Sequence, residues 1–173
     1  MALLFDSVAK STSICSLSVG NEGSTNRNRI GSLGAKSLSN LLQRNHLISL
    51  LDIRNLNIGF EYLQIMAEGF AKSNSLVYIN LSRNEITAEA SQILSQALLK
   101  KAIEGLDLSL NPLGDLGVRQ ICQLMIHGSH RLVRIDLSNC SFSNQVGNNL
   151  FSAIVGKSNN LIRLNIAGNL FGQ

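Results

Sequence analysis

The sequence predicts an α/β solenoid: a curved, right-handed β-α superhelix with a parallel sheet on its concave face and helices on its convex face. Three observations predict it. Five segments of the 173-residue chain align without gaps: "ISLLDIRNLNI" from Ile48, "LVYINLSRNEI" from Leu76, "IEGLDLSLNPL" from Ile103, "LVRIDLSNCSF" from Leu132 and "LIRLNIAGNLF" from Leu161. They begin 28, 27, 29 and 29 residues apart and share the pattern L-x-x-L-x-L-x-x-N-x-L. The stretch after a segment carries apolar residues at helical spacing, as in Ile93, Leu94, Ala97 and Leu98.

Each element follows from that pattern. In L-x-L the two apolar residues share one face of a short strand, because side chains alternate. The asparagine after the strand marks an inward turn, where a buried amide can satisfy backbone groups that the turn leaves unpaired. The second half of the unit is an amphipathic helix. One strand–loop–helix unit cannot bury both apolar faces alone, so units stack. Helices need about 10 Å between axes and strands about 4.8 Å, so the stack must curve with the strands inside.

These repeats resemble the leucine-rich repeat family. Their length of about 28 residues and helical second half resemble its ribonuclease-inhibitor-like class. The resemblance covers essentially the whole chain, and "LDLSLNPLGDLGVRQICQL", Leu106 to Leu124, carries it best. The turn column holds Asn28, Asn84, Asn111 and Asn169, with Cys140 and Leu56 as departures. Cysteine is a common replacement in the family, which implies a structural role for Cys140. Leu56 cannot hydrogen-bond, so its turn is expected to close differently, through Asn55 or Asn57.

The expected organisation is a single domain over 1–173. It has a partial repeat at 1–13, repeats starting near 14, 48, 76, 103 and 132, and a partial repeat at 161–173. Residues 3–10 look like the helix of a preceding repeat, because "LLFDSVAKSTSI" resembles "LFSAIVGKSNNL" and "IMAEGFAKSNSL". No polar cap is evident at either end. The ends are read either as the edges of a longer array or as open surfaces that meet a partner or a second copy. The copy at Ile14 starts 34 residues before Ile48, about six too many. The excess falls in "GNEGSTNRNRIG", between Val19 and Asn28. It reads either as a tolerated polar loop or as part of a binding rim.

Composition narrows the function classes. With 45% hydrophobic and 15% charged residues the chain folds rather than staying disordered. A formal charge of +4, with no basic run longer than Lys100-Lys101, argues against nucleic acid. No apolar run approaches the roughly 20 residues of a membrane helix, so a membrane is not an expected partner. Three scattered cysteines, Cys15, Cys122 and Cys140, fit a reducing, cytoplasmic compartment. Cys122, His127 and His130 lack the close ligand pairs of a zinc site, so no metal is expected. "GSLGAK", Gly31 to Lys36, resembles a phosphate loop, but its glycines are too close together. No nucleophile–base constellation is present, and neither a catalytic residue nor a cofactor is expected.

The candidate sites lie on the concave face. Third positions of the pattern are Ser16, Leu50, Tyr78, Gly105, Arg134 and Arg163. Fifth positions are Ser18, Asp52, Asn80, Asp107, Asp136 and Asn165, and seventh positions include Arg54, Ser82, Ser109 and Ser138. Tyr78, Arg54, Arg134 and Arg163 are residue types that become hot spots in protein interfaces. Asp52, Asp107 and Asp136 join them as partner-binding candidates. Acid–base chemistry is not expected there, since an acid or amide between the leucines is ordinary usage in the family. Glu22, Arg27 and Arg29 of the insertion complete the set.

The leading reading is therefore a protein–protein interaction module or scaffold with an unidentified protein partner. A regulatory protein resembling Ran-type GTPase-activating leucine-rich repeat proteins is one rival, with Arg27 and Arg29 as the loop arginines to test. A structural assembly segment that self-associates through uncapped ends is the other.

Overall fold

Alternating strand and helix signals become thirteen short elements in sequence order. The computed structural model describes residues 1–23, 28–128, 131–155 and 160–172. The helices are α1 (Ala2–Val8), α2 (Gly31–Arg44), α3 (Phe60–Lys72), α4 (Ala88–Leu98), α5 (Gly114–His127) and α6 (Gly147–Val155), the last preceded by a 3-10 turn at Asn144–Val146. The strands are β1 (Ser16–Ser18), β2 (Leu50–Asp52), β3 (Tyr78–Asn80), β4 (Gly105–Asp107), β5 (Arg134–Asp136) and β6 (Arg163–Asn165). They form one parallel sheet in the order β1 to β6. The register sets third positions side by side, from Ser16 through Leu50, Tyr78, Gly105 and Arg134 to Arg163. The molecule is an α/β solenoid.

The core lies between sheet and helices. Fourth-position Leu51, Ile79, Leu106 and Ile135 and sixth-position Ile53, Leu81, Leu108 and Leu137 are buried there. They meet helix residues such as Leu38 and Leu42 of α2, Met66 and Phe70 of α3, Leu94 of α4 and Ile121 of α5. Phe5 and Val8 of α1 belong to the same core, ahead of the first strand. Helices α2 and α3 meet closely: a Cβ on Gly69 would stand 2.7 Å from the Cα of Ser39, and the Gly69 N–H donates to Ser39 Oγ at 3.1 Å.

The turn column works by reaching backwards. Asn84 Nδ2 donates to Leu81 O in its own unit and to Ile53 O in the unit before. Its Oδ1 accepts from the N–H groups of Leu56 and Ile58, both in the preceding turn. Asn111 repeats this one unit on, accepting from Asn84 N and Ile86 N and donating to Leu81 O and Leu108 O. The turn at Leu56 is thus closed by Asn84 of the next unit, and not through Asn55 or Asn57. Leu56 itself is fully buried as a core residue.

The two departures from asparagine alter the loop before them. The Leu56 carbonyl, in place of a side-chain amide, accepts from Ile30 N, and the Cys140 carbonyl accepts from Gly114 N. In both cases the helix begins directly after the buried residue at 30 or 113, on a glycine with left-handed backbone: Gly31 at φ 62° and Gly114 at φ 59°. Where asparagine follows, the corresponding positions Gly59, Thr87 and Ser143 are extended, and the first two directly precede α3 and α4. The residue in one turn column therefore sets the loop geometry of the unit before it. Cys140 also keeps the donor half of the asparagine's work, its thiol donating to Leu108 O at 3.2 Å. Burial pushes the thiols of Cys140 and Cys122 up to about 12.

The insertion sits where the repeat count placed it. Asn28 Nδ2 donates to Val19 O, nine residues back, whereas Asn84 and Asn111 reach three residues back to the equivalent carbonyl. Ile30 is buried, as Ile86 and Leu113 are at the same pattern position.

Candidate functional site

Acidic and amide residues in fifth position sit two residues before a backbone N–H that the end of the strand leaves free. Each folds back to accept it: Asp52 from Arg54, Asn80 from Ser82, Asp107 from Ser109, Asp136 from Ser138 and Asn165 from Ala167. The hydroxyls of Ser82, Ser109 and Ser138 donate to the same oxygens. Asp136 also accepts from Asn165 Nδ2 at 2.8 Å, and Asp52 from Ser18 Oγ at 3.3 Å. The carboxylates thereby close strand ends and link neighbouring strands.

Arg54 is occupied in the same way. Its Nε and Nη2 donate to the carboxylate of Asp52, and its Nη1 pairs with Glu22 of the insertion. The hydrogen bond it donates to Asp52 is the main reason its guanidinium holds its proton more tightly than usual. Asn55 Nδ2 adds a bond to Asn21 Oδ1. Arg54 and Asn55 thus tie the start of the insertion to the second unit. Arg29 is exposed and stands beside a separate depression with Met1, Leu3 and Leu33, away from the concave wall. Arg27 and His130 lie outside the described residues.

Further along the sheet the candidates converge. Tyr78, Asp107, Asp136, Arg134 and Arg163 line one concave cavity of about 510 Å³, joined by Leu50. Leu50 is 38% exposed, high for an aliphatic residue on a central strand. Tyr78 is half-buried because its ring leans over Gly105; any side chain at 105 would collide with it. Burial, and after it the charge of Asp107, hold the Tyr78 phenol above its ordinary value. Arg134 and Arg163 are exposed neighbours in register on β5 and β6. Among the described residues neither guanidinium has an ion-pair partner. Leu50 and Gly105 are the contributors that residue-type reasoning passed over. The signal for Gly105 was present: a missing side chain in a column where the preceding strand carries a tyrosine.

Comparison with known proteins fits this geometry. A family model described as Leucine Rich repeat matches residues 72–90 and 103–122, which span the strands and turns of the third and fourth units. The chain is a leucine-rich repeat solenoid. Among curated relatives of this repeat array is mouse NACHT, LRR and PYD domains-containing protein 14. It is 27% identical over 75% of the chain and 13% of the relative. Mouse NACHT, LRR and PYD domains-containing protein 3 is 27% identical over 80% of the chain and 14% of the relative. The human NACHT, LRR and PYD domains-containing protein 12 is 33% identical over 60% of the chain and 10% of the relative. The array thus spans 10% to 14% of these relatives' length. Among solved structures, Leiomodin-1 Actin-Binding Site 2 superposes with a TM-score of 0.68 at 14% identity, over 87% of this array and 82% of that chain. That likeness carries the fold across and no partner. Among the described residues no helix is long and apolar enough to cross a membrane.

Proposed function

We propose that this array, of the ribonuclease-inhibitor-like class, is a protein–protein interaction module that holds a partner against the concave wall between Leu50 and Arg163. The strand-end rim beside Glu22 offers a second contact. One contrast carries the reading. The acids of the wall and Arg54 are already engaged within the chain, whereas Tyr78, Arg134 and Arg163 present to a concave cavity an aromatic face and two guanidinium groups that have no ion-pair partner among the described residues. Exposed aromatic and arginine side chains at the centre of a concavity are the groups that supply interface energy.

Site-specific photo-crosslinking tests this in cells. A benzophenone amino acid at position 78 is expected to trap a protein partner, and one at Glu61 on α3 is not. Trapping from position 61 alone would move the interface to the helical side and refute the reading.

A further inference from the structure

The third-position column changes character along the sheet. It runs from Leu50 through the Tyr78 ring lying over Gly105 to Arg134 and Arg163. Neighbouring strands lie about 4.8 Å apart, so the two arginines stand one spacing from each other. The tyrosine ring, leaning over Gly105, fills the space on the N-terminal side of Arg134. An apolar shelf and a cationic pincer thus share one wall of the cavity, Leu50 lying about 14 Å from Arg134 and the Tyr78 ring about 5–10 Å from the two arginines by the strand spacing. The latter separation matches two residues apart in an extended peptide, or three to four apart on a helix.

The charge of the wall selects among anions. Asp107 and Asp136 line the same cavity as Arg134 and Arg163, so two carboxylates balance two guanidinium groups. A polyanion such as a nucleic-acid backbone meets no extended positive field there. A single carboxylate gains the fork geometry of two arginines, which suits a planar acceptor. Ser138 and Asn165 already hold the oxygens of Asp136, and its carboxylate does not take up the guanidinium donors of the pincer. A basic partner would find acids already bound and arginines repelling it.

From this juxtaposition we propose that the concave cavity binds an acidic–apolar protein segment: one Asp or Glu carboxylate clasped between Arg134 and Arg163, and a neighbouring aliphatic or aromatic side chain seated on Leu50 and the Tyr78 ring. The segment crosses the strands. The proposal rests on the concave-face reading above and adds to it the chemistry of the occupant.

Selection from a phage-displayed random dodecapeptide library on the immobilised chain tests it. Enriched peptides are expected to carry an Asp or Glu one to four residues from a large apolar residue. The synthetic peptides should lose about tenfold to a hundredfold in affinity on Arg134→Ala or Arg163→Ala, the size expected for a charge-assisted hydrogen bond. Changing the peptide's acid to its amide should cost as much in the native chain, and little more in Arg163→Ala. Far-ultraviolet circular dichroism and the melting temperature verify that each variant is folded. Occupancy is also read without these variants: Tyr62→Phe leaves Tyr78 as the sole tyrosine in a chain without tryptophan, and its fluorescence should change on binding. Peptides that need Tyr78 but no acid would overturn the acidic requirement and leave the concave site standing. Tighter binding when phosphoserine replaces the acid would overturn the carboxylate assignment. No enrichment, or binders indifferent to all three residues, would overturn both readings.

Discussion

Replacing Asn111 by alanine isolates the energetic core of the fold. The side chain is 1% exposed and makes five hydrogen bonds. The three carbonyls it serves each keep another donor. Leu81 O retains Asn84 Nδ2, Leu108 O retains the Cys140 thiol, and Ser109 O retains Arg83 N. The two donors it serves fare differently: Asn84 N and Ile86 N are buried and turn to Asn111 Oδ1. An orphaned buried N–H costs about 1–3 kcal/mol, so two cost about 2–6 kcal/mol. That is a large part of a typical domain stability of about 5–15 kcal/mol. Urea unfolding followed by circular dichroism should show the loss as a lower midpoint with an unchanged slope. Asn169→Ala is the control. Its Oδ1 receives a single bond, from Cys140 N, and its residue is half-buried, so its loss should be clearly smaller. Equal losses, or less than about 0.5 kcal/mol for Asn111→Ala, would refute the assignment of the energy to the two backward-facing acceptor bonds.

Four further outcomes follow from the same geometry. Gly114→Ala should cost about 1–2 kcal/mol, because Gly114 sits at φ 59°, and less in a Cys140→Asn background where an amide can close the turn; a double-mutant cycle by urea unfolding measures the difference. Exposed Cys15 should react at once with a disulfide reagent, and buried Cys122 and Cys140 only at the unfolding rate. The native state keeps both buried thiols protonated, so their contribution is whole below about pH 9 and falls as pH rises toward about 12, by up to about 1.4 kcal/mol per unit for each thiol; Cys122→Ala should flatten that slope in pH-dependent unfolding. Arg54→Ala should cost about 1–3 kcal/mol by stripping the Asp52 carboxylate of its main donor, and should speed hydrogen exchange at residues 20–23, where Glu22 loses its anchor.

The repeat made much of this fold legible. A strict L-x-L at near-constant spacing allows only one parallel register, because a slip of one residue would expose every strand leucine. The asparagine column was legible for the same reason, and the six-residue excess reappears as the longer reach of Asn28 to Val19. What the pattern concealed was direction. Aligning each unit with its neighbours shows that Leu56 lacks an amide, but not that Asn84 supplies one from the next unit. Residue type likewise could not separate Arg54 from Arg134. Both have an aspartate two residues away on the same face, but Asp136 is held by Ser138 and Asn165, whereas Asp52 is held by Arg54 itself, and the insertion brings Glu22 close to Arg54. The left-handed turn positions at Arg83 and Leu110 were equally hidden, since neither residue type favours that backbone and only the stacked turn imposes it.

The backward reach of the turn column gives the array a polarity in time as well as in space. During synthesis the second turn emerges with the N–H groups of Leu56 and Ile58 awaiting an acceptor that is 26 to 28 residues away and still to be made. Each unit is finished by its successor. Stability along the array then resides in junctions rather than in units, and the smallest portable piece is a unit together with the turn that follows it. A graft cut at the end of a helix would leave its own turn open. One cut after the next asparagine would carry its closure along.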